Sequence, residues 1–144
     1  MQSISVTFGR PRVGWLPVQI KSHDFQLSFD ASDLGLNVID QLTDMLEQLD
    51  LGRGSECYFY LEPGAYLLNI EPASDSAILQ IQFVEDFNNR DISTPKTKFQ
   101  IEINLMEFRM SLRNALRSFQ NFVYGEEDWP TPEKTTLLFK LLNF

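Results

Sequence analysis

The sequence predicts an α+β fold: a mostly antiparallel meander sheet of about six to seven strands, two helices packed on one face, and a short C-terminal helix or tail. Three observations lead to this prediction. Residues 56–86 show the pattern strand, tight turn, strand, turn, strand. On both sides of this stretch lie segments in which apolar and polar residues alternate. Two segments, 37–51 and 104–122, repeat their apolar residues every three or four positions.

The N-terminal part predicts strands at residues 1–8, 15–20 and 25–29, where apolar and polar residues alternate. Pro17 lies within the second of them, and proline donates no hydrogen bond to a neighbouring strand. We therefore expect this strand at an edge of the sheet or at a bulge. The three strands should form a second meander that continues the same sheet.

Residues 37–51 predict the first helix. Asn37 is a good N-cap with Asp40 three residues further on, and Gly52 stands where a helix commonly ends in a left-handed residue. One side of the helix is apolar and is expected to face the sheet. That side consists of Val38, Ile39, Leu42, Met45, Leu46 and Leu49.

The central stretch predicts strands at residues 57–61, 66–70 and 78–84, separated by turns rich in proline, glycine and aspartate. Cys57, the single cysteine, opens the first of these strands, and we expect it to be a small buried hydrophobe. The polar connection at 87–95 contains no glycine and no ligand pattern, so we expect a flexible linker there.

A strand at residues 98–103 leads directly into the second helix at 104–122. Asn104 stands at the N-cap and Glu107 at the capping-box position. Because the helix has an apolar stripe along its length, it should cover a sheet face. The stripe consists of Leu105, Phe108, Leu112, Ala115, Leu116, Phe119 and Phe122.

The composition of the chain changes after residue 124, where an acidic stretch is followed by an apolar one. We interpret residues 1–124 as a single α+β domain and 125–144 as an acidic linker with an apolar C-terminal segment, either helix or strand. The segment contains Leu137, Leu138, Leu141 and Leu142. Because these leucines would be an aggregation-prone patch in water, they should pack on the domain or on a second copy of the chain. Trp15 and Trp129, in a turn and in the linker, are expected at the surface or at an interface.

The chain of 144 residues carries a net charge of −8, and its pI is near 4.5. Such acidity opposes binding to nucleic acid and to anionic membranes. It suits a basic protein partner, and it is also a common way of keeping a protein soluble. The lone cysteine, and the lack of a leader or a long apolar run, favour a cytoplasmic protein.

Candidate partner-binding residues occur on the first helix. Asp40, Asp44 and Glu47 share its outer face, and no lysine or arginine occurs between residues 33 and 50. The carboxylates form either a solvated face or a ridge on which a basic partner docks.

The second helix carries a basic stripe beside its apolar face, with Arg109, Arg113 and Arg117 spaced four residues apart. These arginines either pair with carboxylates of the sheet or the first helix, or they contact an anion or a protein partner. They are therefore a second group of candidate partner-binding residues.

The sequence offers little material for catalysis. His23 is the single histidine, and neither metal-ligand spacing nor a glycine-rich phosphate loop occurs, so no catalytic residue, metal or cofactor is predicted. Aromatic residues on the predicted strands could stack nucleic-acid bases, but the lysines and arginines of such surfaces are scarce there. We therefore expect Phe25, Phe29, Tyr58 and Tyr60 to pack in the core.

Four short sequence segments precede the last long helix: GWLPV at residues 14–18, LEP at 61–63, YLLNIE at 66–71 and FQIEI at 99–103. Together with the order of the elements, they resemble the WapI-type immunity proteins of bacteria over residues 3–122. The resemblance implies a small cytoplasmic α+β protein. It also implies that the protein binds and neutralises a cognate toxin domain, often a nuclease.

Three hypotheses about function follow. The first is a non-enzymatic binding protein that neutralises a basic toxin domain by occlusion. The second is a homo-oligomeric structural or adaptor domain that associates through the C-terminal leucines. The third is a small enzyme or ligand-binding module, which would need a deep pocket with converging polar groups.

Overall fold

The computed structural model describes residues 1–88 and 95–143. Its strands are β1 (Ile4–Phe8), β2 (Trp15–Ser22), β3 (Gln26–Ser32), β4 (Ser55–Tyr60), β5 (Ala65–Ala73), β6 (Ser76–Val84) and β7 (Lys96–Asn104). Its helices are α1 (Val38–Asp50), α2 (Leu105–Gln120) and α3 (Thr135–Leu142). Most of the linker predicted at 87–95 lies outside the described residues.

The strands form antiparallel meanders, as predicted, but each meander is a separate sheet. The N-terminal sheet has the order β1-β2-β3, and the central sheet has the order β4-β5-β6-β7. The α+β class is confirmed, whereas the prediction that the first meander continues the central sheet is wrong. Alternation shows which face of a strand is apolar, but it does not show which strand lies beside it. An isolated parallel bridge between Gln2 and Ile103 links the two meanders.

The apolar faces of the two sheets meet in the core. The ring of Phe29 lies 5.1 Å from that of Phe59 and 4.8 Å from that of Tyr66. Phe25 stacks on Phe99 with a centroid distance of 3.9 Å. These aromatic contacts join β3 and the residue just before it to β4, β5 and β7 of the central sheet, and they confirm the core packing predicted for Phe25 and Phe29.

Two other aromatic residues lie on the opposite face of the central sheet. Tyr58 and Tyr60 are half-buried, with ring centroids 4.5 Å and 6.2 Å from that of Phe87. The prediction that they pack in the core is wrong. Successive side chains of a strand point to opposite faces, and the buried residues of β4 are Cys57 and Phe59.

Pro17 lies in β2, the middle strand of the N-terminal sheet, and the pairing of β2 is regular, so neither the predicted edge strand nor the predicted bulge is found. It pairs with Asp30 of β3, while β1 ends at Phe8, opposite Val18. The missing N–H of Pro17 therefore lies beyond the end of β1, and its carbonyl still accepts from the Gly9 N–H at 2.9 Å.

Both long helices begin at the predicted caps. The Asn37 side chain accepts from the Ile39 N–H at 2.9 Å, and the Asn104 side chain accepts from the Glu107 N–H at 3.0 Å. Gly52, just after α1, has a φ of 75°, the left-handed conformation that glycine adopts without strain. The sequence predicted these boundaries well because the capping residues are local.

Each long helix covers one edge of a sheet. In α1, Gln41 donates to the Tyr58 carbonyl and accepts from the Tyr58 N–H, both at 3.0 Å, on the edge strand β4. In α2, the Ser111 hydroxyl accepts from the Val6 N–H at 2.8 Å, on the edge strand β1. Because an uncovered edge can pair with another chain, these contacts protect one edge of each sheet.

We expect Gln41→Ala to lower the free energy of unfolding by about 1–3 kcal/mol, because it leaves a backbone donor and a backbone acceptor of Tyr58 without their partner. Urea denaturation followed by circular dichroism measures the loss. Gln48→Ala is the matched control, since it makes the same change on the same half-buried helix face. Equal losses in the two variants would show that the edge contact contributes nothing specific.

Trp129 is fully buried, so its predicted place at the surface or at an interface is wrong. Its indole N–H donates to the Asn37 side-chain oxygen at 3.2 Å, and the Asn37 amide donates to the Pro130 carbonyl at 3.1 Å. The segment after α2 is therefore anchored on the start of α1. Trp15 lies at the surface, as predicted, with 38% of its surface exposed.

The C-terminal segment forms the helix α3, which packs against α1 and α2. Leu138, Leu141 and Leu142 are buried there, and Leu137 is half-buried. The leucines thus pack on their own chain, one of the two outcomes that the sequence left open. Homo-oligomerisation through them stays a prediction, and it would require α3 to leave this position.

Candidate protein-binding surface

Asp40, Asp44 and Glu47 lie together on the outward side of α1, and all three are half-buried. Residues three or four positions apart share a face of a helix, so their carboxylates form one line along the surface. We call these three residues the acidic ridge. Its existence as a continuous surface confirms the spacing argument, while its partner-binding role stays a prediction.

The acidic ridge holds a cation supplied by the chain itself. The Lys134 ammonium lies 2.7 Å from the Asp44 carboxylate. This hydrogen bond and the charge of Asp44 raise the pKa of Lys134, and the charges of Asp40 and Glu47 raise it further. All three carboxylates of the ridge therefore act on one ammonium group.

Asp40 also fixes the chain segment that carries this lysine. Its carboxylate accepts from the backbone N–H groups of Glu133 and Lys134 at 3.0 Å and 2.9 Å. These N–H groups lie at the start of α3, where a negative charge is favourable to the helix dipole. Asp40 thus has a structural role that the sequence analysis did not predict.

A concavity of about 350 Å³ lies between α1 and the segment that precedes α3. Its charged lining consists of Asp33, Asp40, Asp44, Glu133 and Lys134. The excess of carboxylates gives this part of the surface a negative potential that attracts basic groups.

The predicted basic stripe on α2 is engaged within the chain. Arg109 donates to one Asp50 carboxylate oxygen from two of its nitrogens, at 2.6 Å and 2.9 Å. Arg113 forms an ion pair with the other oxygen of Asp50. Asp50 is the last residue of α1, so the two arginines connect α2 to the end of α1.

The same stripe also binds the end of α3. Arg113 donates to the Leu141 carbonyl at 3.3 Å, and Arg117 donates to the Leu142 carbonyl at 2.8 Å. Carbonyl groups in the last turn of a helix have no partner within that helix, and cations are favourable there. The arginines therefore form a clamp that holds the three helices together, and partner binding by them stays a prediction.

The roles of Asp50 and Lys134 were not predicted from the sequence. Neither could be found from local spacing, because Asp50 is 59 residues from Arg109, and Lys134 is 90 residues from Asp44. One signal for Asp50 was present: an acidic residue in the last turn of a helix opposes the helix dipole, which suggests a cation nearby.

Cys57 and His23, the single cysteine and the single histidine, differ in their environments. Burial raises the pKa of the Cys57 thiol, and the nearby charge of Glu56 raises it further, so the thiolate is disfavoured. His23 lies in an exposed turn, with 90% of its side chain accessible. In residues 1–88 and 95–143, no three side chains of histidine, cysteine, aspartate or glutamate are grouped so as to hold a metal ion.

The fold and the surface define an α+β protein of two antiparallel sheets with an acidic ridge on its first helix. No protein-family model, curated protein or solved structure matches the chain. The resemblance to WapI-type immunity proteins stays a prediction based on short phrases and element order. None of the helices in the described part of the chain is both long and apolar enough to cross a membrane.

Proposed function

We propose that this chain is a non-enzymatic, cytoplasmic protein-binding module that binds and neutralises a basic bacterial toxin domain, as an immunity protein does. The observation that carries the proposal is the acidic ridge with Lys134 bound to it. An ammonium group already occupies this surface at hydrogen-bonding distance from Asp44. Lysine or arginine side chains of a partner fit the same carboxylates.

The net charge of the chain supports the same proposal. With a charge of −8, the whole molecule attracts a basic domain over a distance of about 8 Å at physiological salt. Complementary charges mainly raise the rate of association and select the partner. Neutralisation then follows by occlusion, because the bound module covers the surface by which the toxin domain reaches its substrate.

The first experiment is a co-expression rescue. The probe is the C-terminal domain of any large secreted protein encoded beside this chain, which we call the adjacent toxin domain. We expect that it stops growth of the host when expressed alone, that co-expression restores growth, and that the two proteins co-purify. Growth arrest without rescue would contradict the proposed function, and so would the lack of any such neighbouring protein.

The ridge itself is tested by reversing charges. We expect the double variant with Asp44→Lys and Glu47→Lys to associate with the adjacent toxin domain about tenfold more slowly at low salt, and with a weaker dependence on salt. Stopped-flow mixing or surface plasmon resonance measures the rate. The matched control carries Asp24→Lys and Asp30→Lys, with the same change in charge at two exposed positions, one in the turn between β2 and β3 and one in β3. Equal rates in the two double variants would show that net charge, and not the ridge, steers association.

A further inference from the structure

The central sheet has a face that no described helix or strand covers. Its core face packs on the N-terminal sheet and on the helices, while most side chains of the other face are half-buried or exposed. At one end of this face Ala65 and Val84 are buried, and Phe87 packs against Tyr58 and Tyr60. The strand pairing places these side chains in rows across the sheet. One row runs Glu56, Asn69, Gln80, Gln100, and the next runs Tyr58, Leu67, Gln82, Thr97. We call this surface the open face.

The open face is rich in amides and carries more negative than positive charge. Its exposed carboxylates are Glu56, Glu71 and Glu102. Lys98 lies in the bulge of β7 opposite Gln82, and its ammonium is 5.5 Å from the centre of the Phe83 ring. Gln80 donates to the Gln100 side chain at 3.3 Å, so the amides are ordered across the strands. Such a surface presents donors and acceptors together with acidic groups, and it is matched to a basic polar partner.

A concavity of about 410 Å³ lies on this face. Leu67 and Tyr58 give it an apolar floor, and Leu36, with 63% of its surface exposed, stands at its rim. Leu36, Leu67 and Tyr58 therefore form a small apolar patch flanked by amides, and the centre of an interface is more apolar than its rim.

The open face is continuous with the acidic ridge. Leu36 and Gln41 line both this concavity and the acidic one between α1 and the start of α3. Strands about 4.8 Å apart with residues every 3.4 Å give the open face an area of roughly 400 Å². That is about half of the ~800 Å² that each partner buries in an interface of standard size. The ridge and its surroundings would supply the other half.

We infer that the open face is a second part of the binding surface for the basic toxin domain, an inference that rests on the proposed function. A loop of the toxin domain places an apolar side chain against Leu36, Tyr58 and Leu67, and its polar groups bind the amide row around Gln80. Its lysines or arginines reach the carboxylates of the open face and the ridge. A second copy of this chain fits poorly, because it would bring another surface of the same negative sign.

The test is the affinity of the full chain for the adjacent toxin domain, measured by isothermal titration calorimetry. Gln80→Arg places a bulky cation in the centre of the open face, and we expect the Kd to rise at least about tenfold. Gln19→Arg is the matched control, because Gln19 is a half-buried amide in the middle of the N-terminal sheet and donates to Ser28 in the next strand. We expect its Kd to stay within about twofold of the wild type.

A second variant keeps the test informative if Gln80→Arg does not fold. Leu36→Ser changes an exposed loop side chain, and its backbone N–H can still donate to the Tyr58 hydroxyl. We expect it to weaken binding at least about fivefold. If Gln80→Arg and Leu36→Ser both bind as the wild type does while the ridge variant associates slowly, the inference is overturned and the proposed function stands. If the wild type does not bind the adjacent toxin domain, both are overturned.

Discussion

Replacing Trp129 by alanine is expected to lower the free energy of unfolding by about 3–5 kcal/mol, since this is the usual cost of removing a large buried aromatic side chain. Trp129 has no exposed surface, and its indole N–H donates to Asn37, which also caps α1. The substitution therefore creates a cavity and removes a hydrogen bond at the same point. Because small domains are stable by about 5–15 kcal/mol, the loss is a large share of the total.

Urea denaturation followed by circular dichroism measures this effect without depending on tryptophan fluorescence. Trp15→Ala is the matched control, because Trp15 is the other tryptophan of the chain and is 38% exposed. We expect it to cost less than about 1.5 kcal/mol. If Trp129→Ala leaves too little folded protein, Trp129→Phe keeps most of the volume and should show a smaller loss. Similar losses at Trp15 and Trp129 would contradict the burial of Trp129.

The role of Trp129 connects the core to the candidate surface. It anchors the segment that carries Glu133 and Lys134 to the acidic ridge, since Pro130 directly after it is bound by Asn37. A loosened segment would withdraw Lys134 from Asp44. We therefore regard the tail after α2 as part of the candidate surface, although its sequence suggested only an acidic linker.

Local features of the sequence predicted the helices and strands well. The contacts between residues far apart in the chain could not be predicted. Asn37 and Asn104 stand within a turn of the helices they cap, so their roles can be read from short spacing. The separation into two sheets depends on which edges pair. Here Gln41 of α1 and Ser111 of α2 hydrogen-bond to the backbone of the edge strands β4 and β1. No sequence pattern predicts such a contact.

The same contrast between local spacing and distant contacts applies to the candidate surface. The shared face of Asp40, Asp44 and Glu47 follows from helical spacing alone. The lysine that meets them, and the aspartate that meets the arginine stripe, come from distant parts of the chain. A charged residue on a helix face is equally compatible with a solvent, an intramolecular or a partner contact, so composition could not decide among these roles.

The arginine clamp has its centre at Asp50, and Asp50→Asn is expected to lower the free energy of unfolding by about 2–4 kcal/mol. The Asp50 and Arg113 side chains are each only 19% exposed, and the Arg109 side chain is 32% exposed. Breaking a buried pair commonly costs about 3–5 kcal/mol, because the remaining charge has lost its partner, and partial exposure reduces this figure. Asparagine keeps the size of the side chain, so the loss reports the charge.

The measurement is again urea denaturation, carried out at low and at high salt. Asp44→Asn is the matched control: its side chain is 45% exposed, and its lysine partner can turn to solvent, so it should lose less stability and depend more on salt. A double-mutant cycle of Asp50→Asn with Arg113→Met separates the pair from the rest of the clamp. If Asp50→Asn is no more destabilising than Asp44→Asn, the arginines do not hold α1, α2 and α3 together. They would then be available for the partner contact that the sequence also allowed.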